Sequence, residues 1–501
     1  MLSRHFAISA LALLVPISAS AATRCEQLEA SLGASLADVV CFESADLTTN
    51  NAVTTPLNNT IVGLPAGAWT PVTDRGVISP NAPNRTPITK AVPGIQLDAR
   101  FADDPTGQAR FLIRLPDDWN GNLVVAGASG TRSEFNGDFA WSDYVVQKGY
   151  AYASQNKGVL NLKFVSTTSP TPPATDPTPC RLNPDPPVFS NFWVHFFDND
   201  PEKPFTQWTQ YIISAAQLAQ SAVKTHYSHF PRRTYAVGTS NGGYQVRRAM
   251  EEAPNLFDGG VDWEGTFIDP NGPNILIDLP PAIRNFQDYR ASGFNPNSQA
   301  AQNILAAGYP PDIVIGSVSL WGLYWNQFWE VTQCQWQKRF DPGWVTYVDG
   351  PSNVQGTGGY DYFSRVAQEP SIAGAVAAVA TTGKIKKPLI TVAGTMDALL
   401  PIKRGARAYE AVVDASRKGN NEQRAAQYRL YEVQNGNHIE TFKDTFAQLE
   451  FIQPHAQKAF DLLVAHVENN SALPPSQCVP RGGSIANAPA QPGHCASLLA
   501  P

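Results

Sequence analysis

The chain has 501 residues, with 37 Lys and Arg against 43 Asp and Glu and a net charge of −6 at pH 7. This mildly acidic balance has no basic stripe and argues against a nucleic-acid partner. Charged residues make up only 16% of the chain while Gly and Pro number 37 and 41, which excludes a long disordered chain and predicts ordered loops over a packed core.

The first residues predict an export signal rather than part of the fold. Arg4 and His5 give a basic start, Phe6 to Val15 an apolar run, and Ala19-Ser20-Ala21 the small-residue pattern of a cleavage site. The expected location is therefore secreted or periplasmic. No other stretch approaches the length of about 18 apolar residues that a membrane anchor needs. Six cysteines, Cys25, Cys41, Cys180, Cys334, Cys478 and Cys495, suit that compartment. Sequence alone does not fix their pairing. The local expectation is Cys25 with Cys41 and Cys478 with Cys495, leaving Cys180 with Cys334. None has CxxC spacing, and His226-x-x-His229 lacks an adjacent Glu, so neither a metal nor a cofactor is expected.

Six units follow from composition and rhythm. Residues 1–22 are the signal, and 23–104 are an N-terminal extension rich in Thr, Asn and Pro, read as short strands and turns. Residues 105–265 alternate strand and helix. Arg110 to Pro116 reads as a strand, and Asn122 to Gly127 as one buried on both faces. After them come a strand at 150–154, a long helical pattern at 208–227 and a strand at 234–237. That rhythm predicts an α/β fold, a mostly parallel sheet flanked by helices. It breaks at 266–385, an Asn/Pro-rich and then aromatic-rich stretch expected to be an inserted lid or cap. It resumes over 386–470, and 471–501 reads as an irregular tail clipped by cysteines.

Strand 234–237 runs into Gly238-Thr239-Ser240-Asn241-Gly242, and a helical pattern follows it. G-x-S-x-G on a strand-to-helix turn exposes a nucleophilic serine, whereas the bare motif arises often in a Gly-rich chain. In this architecture an acid and then a histidine lie beyond the serine. Of the eight histidines only His438 sits in a loop directly after a predicted strand. Asp397, in the loop after Leu389 to Gly394, is the preferred acid; Asp262 and Glu264, after the preceding strand, are its rivals. The oxyanion donors are expected to be the backbone N–H of Asn241 and one from Ala128 or Ser129. Trp321 and Trp325 are the candidate substrate contacts, with lid core as their competing role.

Strand, oxyanion loop, Ser240, insertion, Asp397 and His438, in that order, resemble the α/β-hydrolase superfamily over about 105–265 and 385–468. Leu115-Pro116-x-x-Trp119-Asn120-Gly121, the export signal, the Cys-bearing N-terminus and the long insertion are also similar to the secreted tannase and feruloyl esterase family. That family has bonded cysteines just before the serine and just after the histidine, where this chain has Thr239 and Ile439. The resemblance implies a serine carboxylic-ester hydrolase acting on small-molecule or polymeric esters, aromatic or oligoester. Ser-Asn-Gly-Gly also resembles the prolyl-oligopeptidase elbow, but about 80 residues cannot make that family's propeller. A peptidase, or an inactive binding fold, is the alternative.

Overall fold

A computed structural model describes residues 22–55, 86–130, 132–160, 163–166, 180–181, 192–195, 207–344, 357–418 and 427–501. The expected signal sequence and most of the Pro-rich stretch at 166–190 lie outside the described residues.

The strands, in chain order, are β1 (Leu36–Ser44), β2 (Gly94–Phe101), β3 (Arg110–Pro116), β4 (Asn122–Gly127) and β5 (Ala151–Gln155). Three short ones, β6 (Lys163–Ser166), β7 (Cys180–Arg181) and β8 (Phe192–His195), form a separate antiparallel sheet. Next come β9 (Arg233–Thr239), β10 (Gly259–Trp263) and a hairpin of β11 (Val314–Ile315) and β12 (Val318–Ser319). The last three are β13 (Leu389–Gly394), β14 (Tyr428–Val433) and β15 (Gln477–Val479). The main sheet runs β1-β2-β3-β5-β4-β9-β10-β13-β14-β15. It is antiparallel from β1 to β5 and parallel from β5 onward.

Alternation along these strands feeds two cores. Leu123 and Val125 of β4 and Ala236 of β9 pack under helix α2 (Gln207–Tyr227), whose Ile212, Ala215, Ala216, Ala219 and Val223 recur at helical spacing. Val124, Ala126 and Val237 face the other way, onto Phe460 and Leu463 of the C-terminal helix Gln453–Asn469. A strand buried on both faces must be apolar at every position, as Leu-Val-Val-Ala is.

The N-terminal extension holds a helix that the reading of strands and turns missed. Helix α1 (Arg24–Leu32) opens with a capping box: the Thr23 hydroxyl accepts from the Glu26 N–H while the Glu26 carboxylate accepts from the Thr23 N–H. Thr-x-x-Glu was its visible signal.

Between β10 and β13 the chain leaves the sheet for a largely helical excursion with its own aromatic core, in which Phe286, Trp321, Trp325 and Trp329 pack together. Met396 and Leu399, from the loop after β13, join that core and fasten it to the sheet's C-terminal edge. Disulfides join Cys25 to Cys41, Cys180 to Cys334 and Cys478 to Cys495. Among the described residues no helix is long and apolar enough to cross a membrane.

Candidate active site

β9 ends at Thr239 and helix α3 (Asn241–Glu252) begins one residue later, so Ser240 alone makes the turn, at φ 57° and ψ −122°. A positive φ strains a side-chain-bearing residue and persists only where its surroundings hold it. Here the Ser240 N–H donates to the Trp263 carbonyl at 2.9 Å, and its own carbonyl accepts from the Tyr244 N–H at 3.0 Å. Glycines give the turn its room. A Cβ on Gly238 would lie 2.3 Å from the Gly242 carbonyl oxygen, and one on Gly242 would lie 2.4 Å from that of Gly127. Strand β4, the turn and the first turn of α3 therefore meet backbone to backbone.

Two further loops at the same sheet edge complete a relay. His438, beyond β14, places Nε2 3.1 Å from the Ser240 hydroxyl oxygen and Nδ1 2.8 Å from Oδ2 of Asp397, beyond β13. Asp397 is held by the N–H groups of Leu399 and Leu400, each donating to Oδ1 at 2.7 Å. The histidine loop is fixed by its neighbours. Asn437 accepts from the Tyr324 hydroxyl, and Asn435 bonds the backbone of Gln448 and of Ala500 in the tail.

The structure separates the two rival acids. Asp262 points beneath the turn, ion-paired at 2.5 Å with the wholly buried Arg247 and accepting from the Gly265 N–H, away from the histidine. Glu264 lies at the site, with Oε2 3.5 Å from His438 Nδ1. Burial first, and then the charge of Asp397, push the Glu264 carboxyl well above the usual range. Burial opposes the imidazolium of His438. The charge and hydrogen bond of Asp397, with Glu264 and Glu440 behind it, outweigh burial and push the ring up to about 9.

A cavity of about 190 Å³ opens on Ser240 and His438. Its floor includes Thr239, Asn241 and Ile439, so both positions that carry cysteines in the tannase-type pattern face it. Ser129, Gly130 and Arg132 line one side and Leu399 and Leu400 another. The wall facing the serine is Phe328, Val331, Thr332, Gln335 and Trp336.

The sheet order, the strained serine between β9 and α3, and the delivery of Asp397 from β13 and His438 from β14, two and three strands further along the parallel part of the sheet, decide the architecture. The fold is an α/β-hydrolase. A family model described as 3HB-oligomer hydrolase matches residues 352–497, the stretch bearing Asp397 and His438. The D-(-)-3-hydroxybutyrate oligomer hydrolase of Burkholderia thailandensis is 39% identical over 111 residues, 21% of this chain and 15% of that protein. The chain thus matches only about a seventh of the length of these curated relatives. Among solved structures, feruloyl esterase B from Aspergillus oryzae is similar at 12% identity and a TM-score of 0.48, covering 89% of this chain and 91% of its own. Tannin acyl hydrolase from Aspergillus niger is similar at 11% identity and a TM-score of 0.47, covering 90% and 89%.

Two sequence expectations need correction. The Ala128 N–H donates to Gln245 Oε1 at 3.1 Å and the Ser129 N–H to Asn136 Oδ1 at 2.7 Å. Neither points freely at the serine, because two amide side chains, the buried Gln245 and the half-buried Asn136, reach the loop first. Asn241 differs: as the first residue of α3, its N–H has no partner inside the helix. Trp321 and Trp325 do not line the cavity either. Both are 1% exposed in the aromatic core of the excursion, Trp321 donating to the Pro310 carbonyl. The opposite face of the same run supplies the wall, and the spacing Phe328, Val331, Thr332, Gln335 was the signal that could have found it.

Proposed function

We propose that this chain is a serine hydrolase of carboxylic esters and that its substrates are short hydroxyalkanoate oligoesters carrying a free carboxylate end. The observation that carries the reaction is the unbroken relay from Ser240 through His438 to Asp397. In this reading His438 Nε2 takes the hydroxyl proton as Ser240 Oγ attacks the ester carbonyl carbon. The Asn241 N–H donates to the oxyanion. His438 then passes the proton to the departing alkoxide. Water, deprotonated by the same nitrogen, releases the acid and restores Ser240. Asp397 fixes the tautomer and supports the imidazolium.

Three features support the substrate. The match to an oligomer hydrolase covers the loops bearing Asp397 and His438. The cavity wall is mixed apolar and amide, suited to a short chain of alternating methyl and ester groups. Arg132 brings a guanidinium to the lining, and every hydroxyalkanoate oligomer ends in a carboxylate that such a group can bind. Residues 1–22 act as the export signal in this reading, the disulfides fit an oxidising compartment, and 266–385 covers the site as a lid.

Hydrolysis of p-nitrophenyl butyrate, 3-hydroxybutyrate dimer and trimer, their methyl esters, a feruloyl ester and a peptide amide tests this. The free-acid oligomers are expected to show the highest kcat/KM, and Arg132→Gln to remove their advantage over the methyl esters. Cleavage of the amide alone would replace the reading with a peptidase.

A further inference from the structure

The site holds one more carboxyl than a serine-histidine-acid relay uses. Glu264 follows the last residue of β10, at φ 52°, with its own N–H donating to the Val392 carbonyl at 2.9 Å. That backbone sends the side chain across the end of β13, where Oε1 accepts from the Gly394 N–H at 2.9 Å. The residue is 3% exposed, and its Oε2 has no hydrogen-bond partner among the described residues although it lies 3.5 Å from His438 Nδ1. One donor or acceptor atom each from Glu264, Asp397 and His438 lie within 4.8 Å of one another. A buried, strained, half-satisfied carboxyl is costly and persists where surrounding structure imposes it.

Resting on the esterase reading above, we propose that Glu264 is a positioning residue of the relay, a second carboxyl on Nδ1 of His438 that accepts that N–H when Asp397 cannot. The two acids are not equivalent. Asp397 sits 0.7 Å closer to Nδ1 (3.5 − 2.8) and its charge is met by two backbone donors. Glu264 has one backbone donor, and burial beside Asp397 disfavours its charge. Two adjacent carboxyls facing one imidazole cannot both be charged cheaply, and the cost falls on the less solvated one. The other groups facing Glu264 are Glu440 after the histidine loop, which disfavours its charge, and Tyr324, whose hydroxyl is turned to Asn437. When Asp397 is removed, that repulsion goes. The Glu264 carboxyl, 3.5 Å from Nδ1, then accepts the Nδ1–H. The imidazole keeps the tautomer in which Nε2 is free to take the serine proton.

The test is a double-mutant cycle on the full chain with p-nitrophenyl butyrate. A relay with one acid loses roughly 10⁴-fold in kcat when the acid goes. Asp397→Ala is expected to lose only about 10- to 100-fold, and Asp397→Ala/Glu264→Gln to fall by a further ~10²-fold or more. In Asp397→Ala the activity should rise with pH along a limb set by Glu264, and Glu264→Gln should abolish that limb. A merely structural carboxyl would not supply it. Asp397→Ala/Glu264→Asp keeps the charge one methylene further away and should restore part of the limb. Melting temperatures of all variants separate misfolding from lost chemistry. Asp397→Ala as inactive as the double variant, with its melting temperature kept, overturns the role of Glu264 and leaves the esterase reading standing. Undiminished turnover by Ser240→Ala overturns the reading beneath it.

Discussion

Ser240 stands at φ 57° because its glycine neighbours let three backbones touch. Gly242→Ala puts a methyl group 2.4 Å from the Gly127 carbonyl oxygen, a backbone atom that cannot swing aside. Overpacking of this kind costs about 1–3 kcal/mol. The expected outcome is a lower denaturant midpoint together with lower kcat, since any relief moves the serine. His438 makes a second residue-scale prediction. A base must be neutral to act, and this imidazole is held up to about 9, so kcat/KM should climb with pH through that value. Stability should follow the opposite course. A histidine whose folded value exceeds its unfolded 6.5 stabilises the fold fully below 6.5, and that contribution is lost as pH rises through about 9. A pH-rate profile and urea melts at matched pH values check both signs.

Among the elements, helix α4 (Glu330–Phe340) of the excursion illustrates what spacing conveys. It turns Val331, Thr332 and Gln335 to the cavity and buries Cys334 behind them. Cys334 is bonded to Cys180 of β7, so the disulfide tethers the cavity wall to a segment 154 residues away. Cys180→Ser/Cys334→Ser should therefore raise KM for oligoesters more than it lowers kcat, because the wall binds while the relay lies on other loops. It should also lower stability by roughly 3–5 kcal/mol, the range for closing a long loop. Equal loss of kcat at unchanged KM would contradict this division of labour. The aromatic richness of 321–336 was plain in the sequence, but its facing was not. Trp321 and Trp325 are four residues apart and share one helical side, and only packing shows that this side meets Phe286 and Tyr289 rather than the cleft. The oxyanion loop hid its facing for a similar reason. Gln245, far along the chain, and Asn136, in the next turn, capture its N–H groups only once the chain has folded.

For the molecule as a whole, the sheet was the most legible feature. A strand buried on both faces announces itself as an unbroken apolar run, as the Leu-Val-Val-Ala of β4 does. The order of the strands along the chain, with the serine turn and two later loops, conveyed the α/β-hydrolase plan. The choice between carboxyls was not legible. Asp262 and Glu264 are two residues apart at one strand end, and Arg247 on α3 decides which of them turns inward. The tail was read as irregular, yet β15 adds to the main sheet. Its last residues also brace the loops bearing Asp397 and His438, with Thr395 bonded to the Leu498 carbonyl and Asn435 to the Ala500 N–H. Deleting residues 496–501 should accordingly lower kcat more than it lowers the melting temperature, which steady-state kinetics and a thermal melt would show. The central claim is that all of this scaffolding serves one hydroxyl, and active-site phosphonylation tests it most directly. Incubation with a fluorophosphonate followed by peptide mapping should give one adduct, on the peptide containing Ser240, in step with loss of oligoester hydrolysis, and none in Ser240→Ala. An adduct on another serine, or turnover that survives full modification of Ser240, would contradict it.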